Sequence, residues 1–415
     1  MKILLLTQWY PPEPALLIEE LAQTLIAYGH QVQVLTGFPN YPGGKLYHGY
    51  RLRLLQRETV AGVPVARVPL YPEHSLSGFK RSMNYFSFAA AAAALGWAAV
   101  SKPDVMFVYH PPLTIGFPAF VLSRFWRIPF VYHIADMWPE TLSATGMVNN
   151  AAVLKNLGRF ATWIYKKSAA ISVITPGFRD NLVSKGVPAD KIHVISSWVD
   201  TNFFRPVESD AVLAQKLGLA GRFNVMYTGT IGLAQGLDTV LEAAILLKDI
   251  PKVQFILVGD GADCQRLQGL AAERQIHNIL FLGRHPATEM PRFYALADVL
   301  FLHLKDDPLF RITIPHKIFA YLASGLPILA AIEGDASKVV YDAQAGVICK
   351  PGDAKEIADA VRKLYLLSPA ERTSLGMNGR KAAVELYSRE NLVAQIEQMI
   401  IGAAQKNIST TRGQV

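Results

Sequence analysis

Short apolar runs alternate along this chain with stretches whose apolar positions recur at helical spacing. The runs fall at residues 3–7, 32–36, 105–109, 130–133 and 171–175, and such alternation predicts parallel strands joined by crossover helices. The pattern restarts at 224–228, 254–258, 279–282, 299–304 and 328–331, with helices over 239–248 and 356–366 and a weak last strand at 346–349. Two consecutive doubly wound α/β domains follow from this, each Rossmann-like, over 1–205 and 206–385, with a closing helix over 386–405. Between them, 196–210 carries Trp198, Pro206 and polar residues without a sustained period, which suits a hinge linker with the boundary near Pro206. Open α/β sheets bind ligands beyond the carboxyl ends of their strands, so the active site is expected in a cleft between the two domains.

Composition narrows the picture. A chain of 415 residues, 51% hydrophobic and 18% charged, is long enough to bury two cores. Its formal charge of +8 favours an anionic partner: nucleic acid, a phosphorylated ligand or an acidic lipid surface. No recognition helix or aromatic RNA motif accompanies the charge, so nucleic acid is not expected. Cys264 and Cys349 are the only cysteines, too few for a disulfide framework or a zinc site, and they fit a reducing, cytoplasmic compartment as core residues. The opening Met1-Lys-Ile-Leu-Leu-Leu-Thr7 reads as a first buried strand, being short for a signal-peptide core. Residues 83–100 are uncharged, include six consecutive alanines and are flanked by Lys80, Arg81 and Lys102. Alanine is only weakly hydrophobic, so this stretch is expected to be a buried helix and not a membrane span. Lys80, Arg81, Arg51, Arg53, Arg57, Arg124 and Arg127 mix with Tyr85, Phe86, Phe125 and Trp126, a combination that suits peripheral binding to an anionic membrane.

Three segments carry candidate chemistry. Tyr227-Thr-Gly-Thr-Ile-Gly-Leu-Ala-Gln-Gly236 follows a strand and precedes a helix; Gly229, Thr230, Gly232, Gln235 and Gly236 would let a backbone approach a diphosphate closely. A second segment, 307–329, places Pro315 at a helix start and Gly325 after its end, which aims a positive helix end together with His316 and Lys317 at a ligand. In the first domain, His110 and the cluster His133, Asp136 and Glu140 stand at carboxyl ends of strands, placed to contact ligand hydroxyls or a reacting proton. Gly259, Asp260 and Gly261 follow a further strand, and Gly283 and Arg284 the next, where they would suit the ribose and base of a nucleotide. Asp306 and Asp307 lack a third carboxylate to complete a metal cage and read as a solvated loop.

Together these segments resemble glycosyltransferase family 4, retaining enzymes of the GT-B fold, over nearly the whole chain. The matching pieces are Trp9-Tyr-Pro-Pro-Glu13, Gly29-His30, Phe38-Pro-Asn-Tyr-Pro42 with Gly49-Tyr50, Asp136-Met-Trp-Pro-Glu140, Trp198-Val-Asp200, Tyr227-Thr-Gly229 with Gln235-Gly236, and Ile314-Pro-His-Lys317 with Ala323-Ser-Gly325. Within the family the chain is similar to capsule, O-antigen and colanic-acid transferases, including N-acetyl-fucosamine transferases. The resemblance implies a nucleotide donor, a UDP-sugar, with Lys317 and the 229–236 turn on its diphosphate, Arg284 near its base, and His110, His133 and Asp136 facing the transferred sugar. It implies that 1–205 is the acceptor-side domain and 206–385 the nucleotide-sugar domain, with no metal and no separate cofactor, a lipid-linked, prenyl-diphosphate saccharide acceptor at the inner face of the cytoplasmic membrane, and a last helix that packs back on the first domain. Arg311 and Ala320 stand near positions where many family members carry two glutamates, and Thr230 and Gln235 where an arginine and a lysine are common. A sugar-nucleotide epimerase of the same architecture, or a catalytically silent binding subunit, would share these features.

Overall fold

A computed structural model describes residues 1–74, 78–144 and 146–412. The chain forms two compact units, Met1–Ser196 joined by the chain from Leu392 onward, and Ser197–Asn391.

The first unit is built on eight strands: β1 Lys2–Leu6, β2 Gln31–Gly37, β3 Gln56–Val60, β4 Val63–Val68, β5 Val105–His110, β6 Phe130–Ile134, β7 Ala170–Val173 and β8 Ile192–Val194. They are ordered β3-β4-β2-β1-β5-β6-β7-β8, and only the β3–β4 pair is antiparallel. Ile3, Leu4, Leu5 and Leu6 are all fully buried, as required of a central strand with both faces covered, and this is why it reads as an unbroken apolar run. The β3–β4 hairpin does not follow from that rule. Its edge strand, Gln-Arg-Glu-Thr-Val, is largely polar, and it turns through Ala61 and Gly62, both at positive φ, the geometry that matches strand twist in a two-residue loop.

The alanine-rich stretch lies in the helix Gly78–Ala99, which buries Tyr85, Phe88, Ala92 and Gly96 along one side. Small residues let it sit close: a methyl on Gly96 would come within 2.9 Å of Leu35 and Leu122. Among the described residues no helix is long and apolar enough to cross a membrane.

The second unit holds β9 Phe223–Thr228, β10 Val253–Val258, β11 Ile279–Gly283, β12 Val299–His303, β13 Ile328–Ala331 and β14 Gly346–Cys349, all parallel, in the order β11-β10-β9-β12-β13-β14. Alternation sorts its side chains onto two faces: Val225, Tyr227 and Phe255 enter one apolar cluster, Met226, Ile256 and Leu300 the other. Cys264 and Cys349 are buried free thiols of the first cluster. Trp198 and Val199, in the stretch expected to be a hinge, are built into this unit, with the Val199 N–H donating to the Tyr387 carbonyl at 2.9 Å.

In each sheet the strand order reverses beside one strand, at β1 between β2 and β5 and at β9 between β10 and β12. These are the switch points where such sheets open a crevice. At the second one, the loops after β9 and β10 press together backbone on backbone. The Ile231 N–H donates to the Asp260 carbonyl at 3.0 Å, and the Asp263 N–H to the Ile231 carbonyl at 3.1 Å. A methyl on Gly259, at φ +151°, would lie 1.8 Å from the Gly229 carbonyl oxygen, so no side chain fits there. Gly283 also has positive φ, but open space surrounds it. Gly259→Ala should therefore lower unfolding stability by about 3 kcal/mol or more, and Gly283→Ala by about 1–2 kcal/mol; chemical denaturation measures both, and equal losses would contradict this account of the loop contact.

Candidate functional site

The second switch point gathers most of the expected ligand-binding residues. Lys317 opens the seven-residue helix Lys317–Ala323, for which His316 is the cap residue. Its ammonium stands 3.8 Å above the centre of the Tyr227 ring. A methyl on Gly229 would come 2.9 Å from the Lys317 Nζ, so the bare backbone of Gly229 is what gives the ammonium its place. Among the described residues no carboxylate pairs with Lys317. Burial in this recess pushes its ammonium down to about 7, because losing water disfavours the charged form and an aromatic face offsets only part of the loss.

Several side chains hold this arrangement in position. The Tyr321 hydroxyl receives the Thr228 N–H at 2.9 Å and lies 3.0 Å from the Thr228 Oγ1, while the Tyr227 hydroxyl donates to the Thr230 carbonyl at 2.6 Å. The turn Leu233–Gln235 is fastened by His303, a fully buried residue at the end of β12. His303 Nδ1 donates to the Gln235 carbonyl at 2.5 Å, and Nε2 accepts the Gly352 N–H at 3.2 Å. Those two bonds fix one neutral tautomer, and burial holds the ring's pKa below the usual histidine value. The Lys305 N–H completes the attachment through the Ala234 carbonyl at 3.0 Å.

The remaining residues of this group have identifiable neighbours. Gln235 spends its side-chain oxygen on the Gly232 N–H at 3.1 Å. Gly236 takes φ +59° against Lys305 and His303. His316 Nε2 donates to the Trp198 carbonyl at 3.0 Å, so its ring braces the loop before the helix. Gly259 and Gly261 are required by the loop contact itself, and Asp260 accepts the Gly261 N–H at 2.7 Å. Thr230 and Arg284 are exposed, and Pro315 is half-buried. Arg311 pairs with Asp306 at 2.8 Å and Glu333 at 3.2 Å; Asp307 caps the short helix Pro308–Arg311.

In the first unit, His110 ends β5 and is fully buried with neither ring nitrogen hydrogen-bonded; burial lowers its pKa to about 3. His133 stacks with Phe107 and Tyr109 and lies 3.1 Å from the Ser172 hydroxyl, and burial lowers it to about 4. Both rings are thus neutral at physiological pH. Asp136 accepts from the Thr141 hydroxyl at 2.5 Å and the Trp138 indole at 3.1 Å, and burial raises its carboxyl despite them. Glu140 pairs with Lys185.

Two buried charged residues were given no role in the sequence, although Glu13 ends the matching segment Trp9–Glu13. Glu13 accepts the N–H groups of Tyr10, Asn40 and Tyr41 at 3.1, 2.9 and 2.8 Å, yet burial still pushes its carboxyl up to about 7. Arg67, fully buried, pairs with Glu58 at 2.5 Å and donates to the carbonyls of Gly37, at 3.1 Å, and Pro11. Nothing local signals either role; a charge surrounded by apolar strand residues, as Arg67 is, was the one available hint.

Removing His303 leaves the Gln235 carbonyl and the Gly352 N–H without this partner, a loss of about 1–3 kcal/mol. His303→Ala should accordingly speed amide exchange over 229–237 by about tenfold or more while β10 keeps its protection. Unchanged exchange in that turn would contradict the fastening role.

Comparison with known proteins follows the division into units. Residues 14–198 match the family described as glycosyl transferase 4-like domain, and residues 212–382 match glycosyl transferases group 1. Over 398 residues the chain is 26% identical to the putative colanic acid biosynthesis glycosyl transferase WcaI of Escherichia coli, spanning 92% of this chain and 95% of that protein. It is also 26% identical to the probable glycosyltransferase WbjE of Pseudomonas aeruginosa, over 62% of this chain and 64% of that one. Among solved structures, Anabaena Alr3699/HepE in complex with UDP superposes with a TM-score of 0.75 at 19% identity, covering 97% of this chain and all of that one. WaaG, a glycosyltransferase involved in lipopolysaccharide biosynthesis, gives 0.67 at 16% identity, covering 96% and 100%.

Proposed function

We propose, since the chain belongs to the glycosyltransferases of the GT-B fold with a glycosyl transferase 4-like domain followed by a group 1 domain, that it transfers a sugar from a UDP-sugar to a lipid-linked saccharide in the synthesis of a bacterial surface polysaccharide. The observation that carries the donor half is the Lys317 ammonium, which lies on an aromatic ring at the switch point of the second sheet with no carboxylate partner among the described residues. A diphosphate supplies the negative charge this recess lacks, and as a leaving group it gains more charge as the glycosidic bond breaks. HepE, of like fold, has been solved with UDP-glucose, which supports uridine as the nucleotide. Gly229, Thr230, Gly232 and Gly236 would approach the phosphates, with Arg284 toward the base. Asp136, His110 and His133 would face the transferred sugar, the two histidines as neutral hydrogen-bonding groups. Transfer would proceed with retention through an oxocarbenium-like sugar. WcaI, named for colanic acid biosynthesis, supports the polysaccharide assignment.

Lys317→Met keeps the stem of the side chain and removes the charge. A charge-assisted contact of this kind is worth about 1.5–3 kcal/mol, so UDP affinity should fall about tenfold to a hundredfold, read by calorimetry, and transfer should fall at least as far. Retained affinity with retained transfer would sink the donor assignment.

For the lipid half, the supporting observation is the outer side of the helix Gly78–Ala99. Phe79, Met83, Phe86, Ala90, Ala94 and Trp97 are all exposed and recur at helical spacing over about 27 Å, the rise of eighteen residues. Trp97 meets Phe125 of the helix Gly116–Trp126 with ring centres 5.9 Å apart. Along the chain, residues 73–180 hold ten Lys or Arg against five Asp or Glu, which is +5 of the formal +8. An apolar aromatic stripe within a basic field suits the surface of an anionic bilayer. Phe79→Ser, Phe86→Ser and Trp97→Ser combined should cut co-sedimentation with phosphatidylglycerol vesicles at least about fivefold without lowering the melting temperature; equal sedimentation would remove the membrane assignment.

A further inference from the structure

Five buried polar atoms of the first unit have no hydrogen-bond partner among the described residues and belong to one neighbourhood: both ring nitrogens of His110, the hydroxyls of Tyr132 and Tyr165, and Glu140 Oε2. Buried polar groups are nearly always answered, so a gathering of orphans calls for one cause. His110 stands opposite Ile134 in the β5–β6 register, and Tyr132 lies two residues before Ile134 on β6, which puts both side chains on the same face of the sheet. The helix Ala151–Lys167 brings Tyr165 against that pair, buried with Ala161 and Ile164. Ring centres are 5.8 Å apart from His110 to Tyr132 and 5.7 Å apart from Tyr132 to Tyr165.

Each group keeps its hydrogen-bonding capacity at physiological pH. Burial raises the pKa of the Tyr165 hydroxyl, and the carboxylates of Glu140 and Asp136 raise it further; burial does the same for Tyr132, with Tyr165 adding to it. Both phenols therefore stay protonated, each with one O–H to give and lone pairs to receive. His110, lowered to about 3 by burial and then by His133, is neutral, with one N–H and one bare nitrogen that can exchange places. Glu140 Oε1 is taken by Lys185, which leaves Oε2 at the edge of the group. A hydroxyl buried with no partner costs more than the hydrogen that phenylalanine would carry there. An internal water needs roughly two to four polar partners, and His110, Tyr132 and Tyr165 together can supply them.

We infer that ordered water joins these groups, bonded to Tyr132, Tyr165 and one ring nitrogen of His110, and that the two tyrosines are thereby positioning residues that hold His110 in a single neutral tautomer. A bridging water links partners up to about 5.5 Å apart, so groups on adjoining rings share one without touching. An imidazole answered on one nitrogen has its proton placed by that bond. The loop after β6 gains the same order: Trp138 meets His110 edge-on at 5.9 Å, and the Trp138 indole N–H donates to Asp136. That consequence for the reaction rests on the sugar-facing role proposed for His110 and Asp136, whereas the hydration itself does not.

A crystal structure of the ligand-free chain, fine enough to show ordered water, should place a water within about 3.2 Å of at least two of the Tyr132 hydroxyl, the Tyr165 hydroxyl and a His110 ring nitrogen. Nitrogen NMR of the histidines at neutral pH, with the His110 signal identified by its loss in His110→Gln, should show one tautomer in the wild type and a mixture of both in Tyr132→Phe. Tyr10→Phe, which removes a buried unpartnered hydroxyl outside this neighbourhood, should leave the His110 signal as in the wild type. Tyr132→Phe and Tyr165→Phe should each melt about 2 °C or more below the wild type, since each takes a partner from the water, whereas removing an unanswered hydroxyl would raise the melting temperature. No water between these groups in the crystal structure, a mixture of tautomers in the wild type, a His110 signal unmoved by Tyr132→Phe, or phenylalanine variants that melt no lower than the wild type would overturn the inference. None of these measurements uses a donor or an acceptor, so a failure of UDP binding or of transfer would count against the glycosyltransferase reading and leave this one standing.

Discussion

Half-buried and with no carboxylate partner among the described residues, the Lys317 amine is costly to keep, and the loops of the second switch point pack around it. The Lys317 ammonium rests on the Tyr227 ring in the space left by the missing side chain of Gly229. Burial lowers it to about 7 from an ordinary 10.5. Between those two values the unfolded chain binds more protons than the native one, so the penalty is fully present below about pH 7 and fades as the pH rises toward 10.5. Neighbouring residues meet the cost by rigidity: Tyr321 holds Thr228, His303 holds the turn after Gly232, and the glycine loops lock backbone to backbone. A site preorganised this way holds its amine in one place, protonated about half the time near pH 7.

Much of the architecture was legible because parallel strands buried on both faces must be apolar throughout, and helices between them must be periodic. The runs at 3–7, 224–228 and 328–331 correspond to β1, β9 and β13 within a residue or so. β3, β4 and β8 escaped: at sheet edges polar residues are tolerated, and neither Gln-Arg-Glu-Thr-Val nor the three-residue β8 carries a strong pattern, while Pro64 and Arg67 interrupt the apolar run of the interior β4. Glycines at 229, 259 and 261 were read as ligand-facing. The structure gives the last two a prior reason, the contact between neighbouring loops.

What the sequence hid was the supporting shell. His303 looks like the end of an apolar strand, Tyr321 like one more core residue of a helix, and Glu13 like a surface acid after two prolines. Their roles depend on partners 49 to 93 positions away for the first two and on three converging N–H groups for the third. No local pattern encodes such pairings. In both units buried polar bonds fix the loops at a switch point between central strands.

The most direct measurement follows the Lys317 ammonium itself, by nitrogen NMR of the lysine side chains across pH with and without UDP. The free protein should show one lysine titrating near 7, absent from Lys317→Met, and UDP should move that titration up by two pH units or more as the diphosphate restores the missing counter-charge. A Lys317 that titrates in the ordinary lysine range and does not respond to UDP would contradict the account.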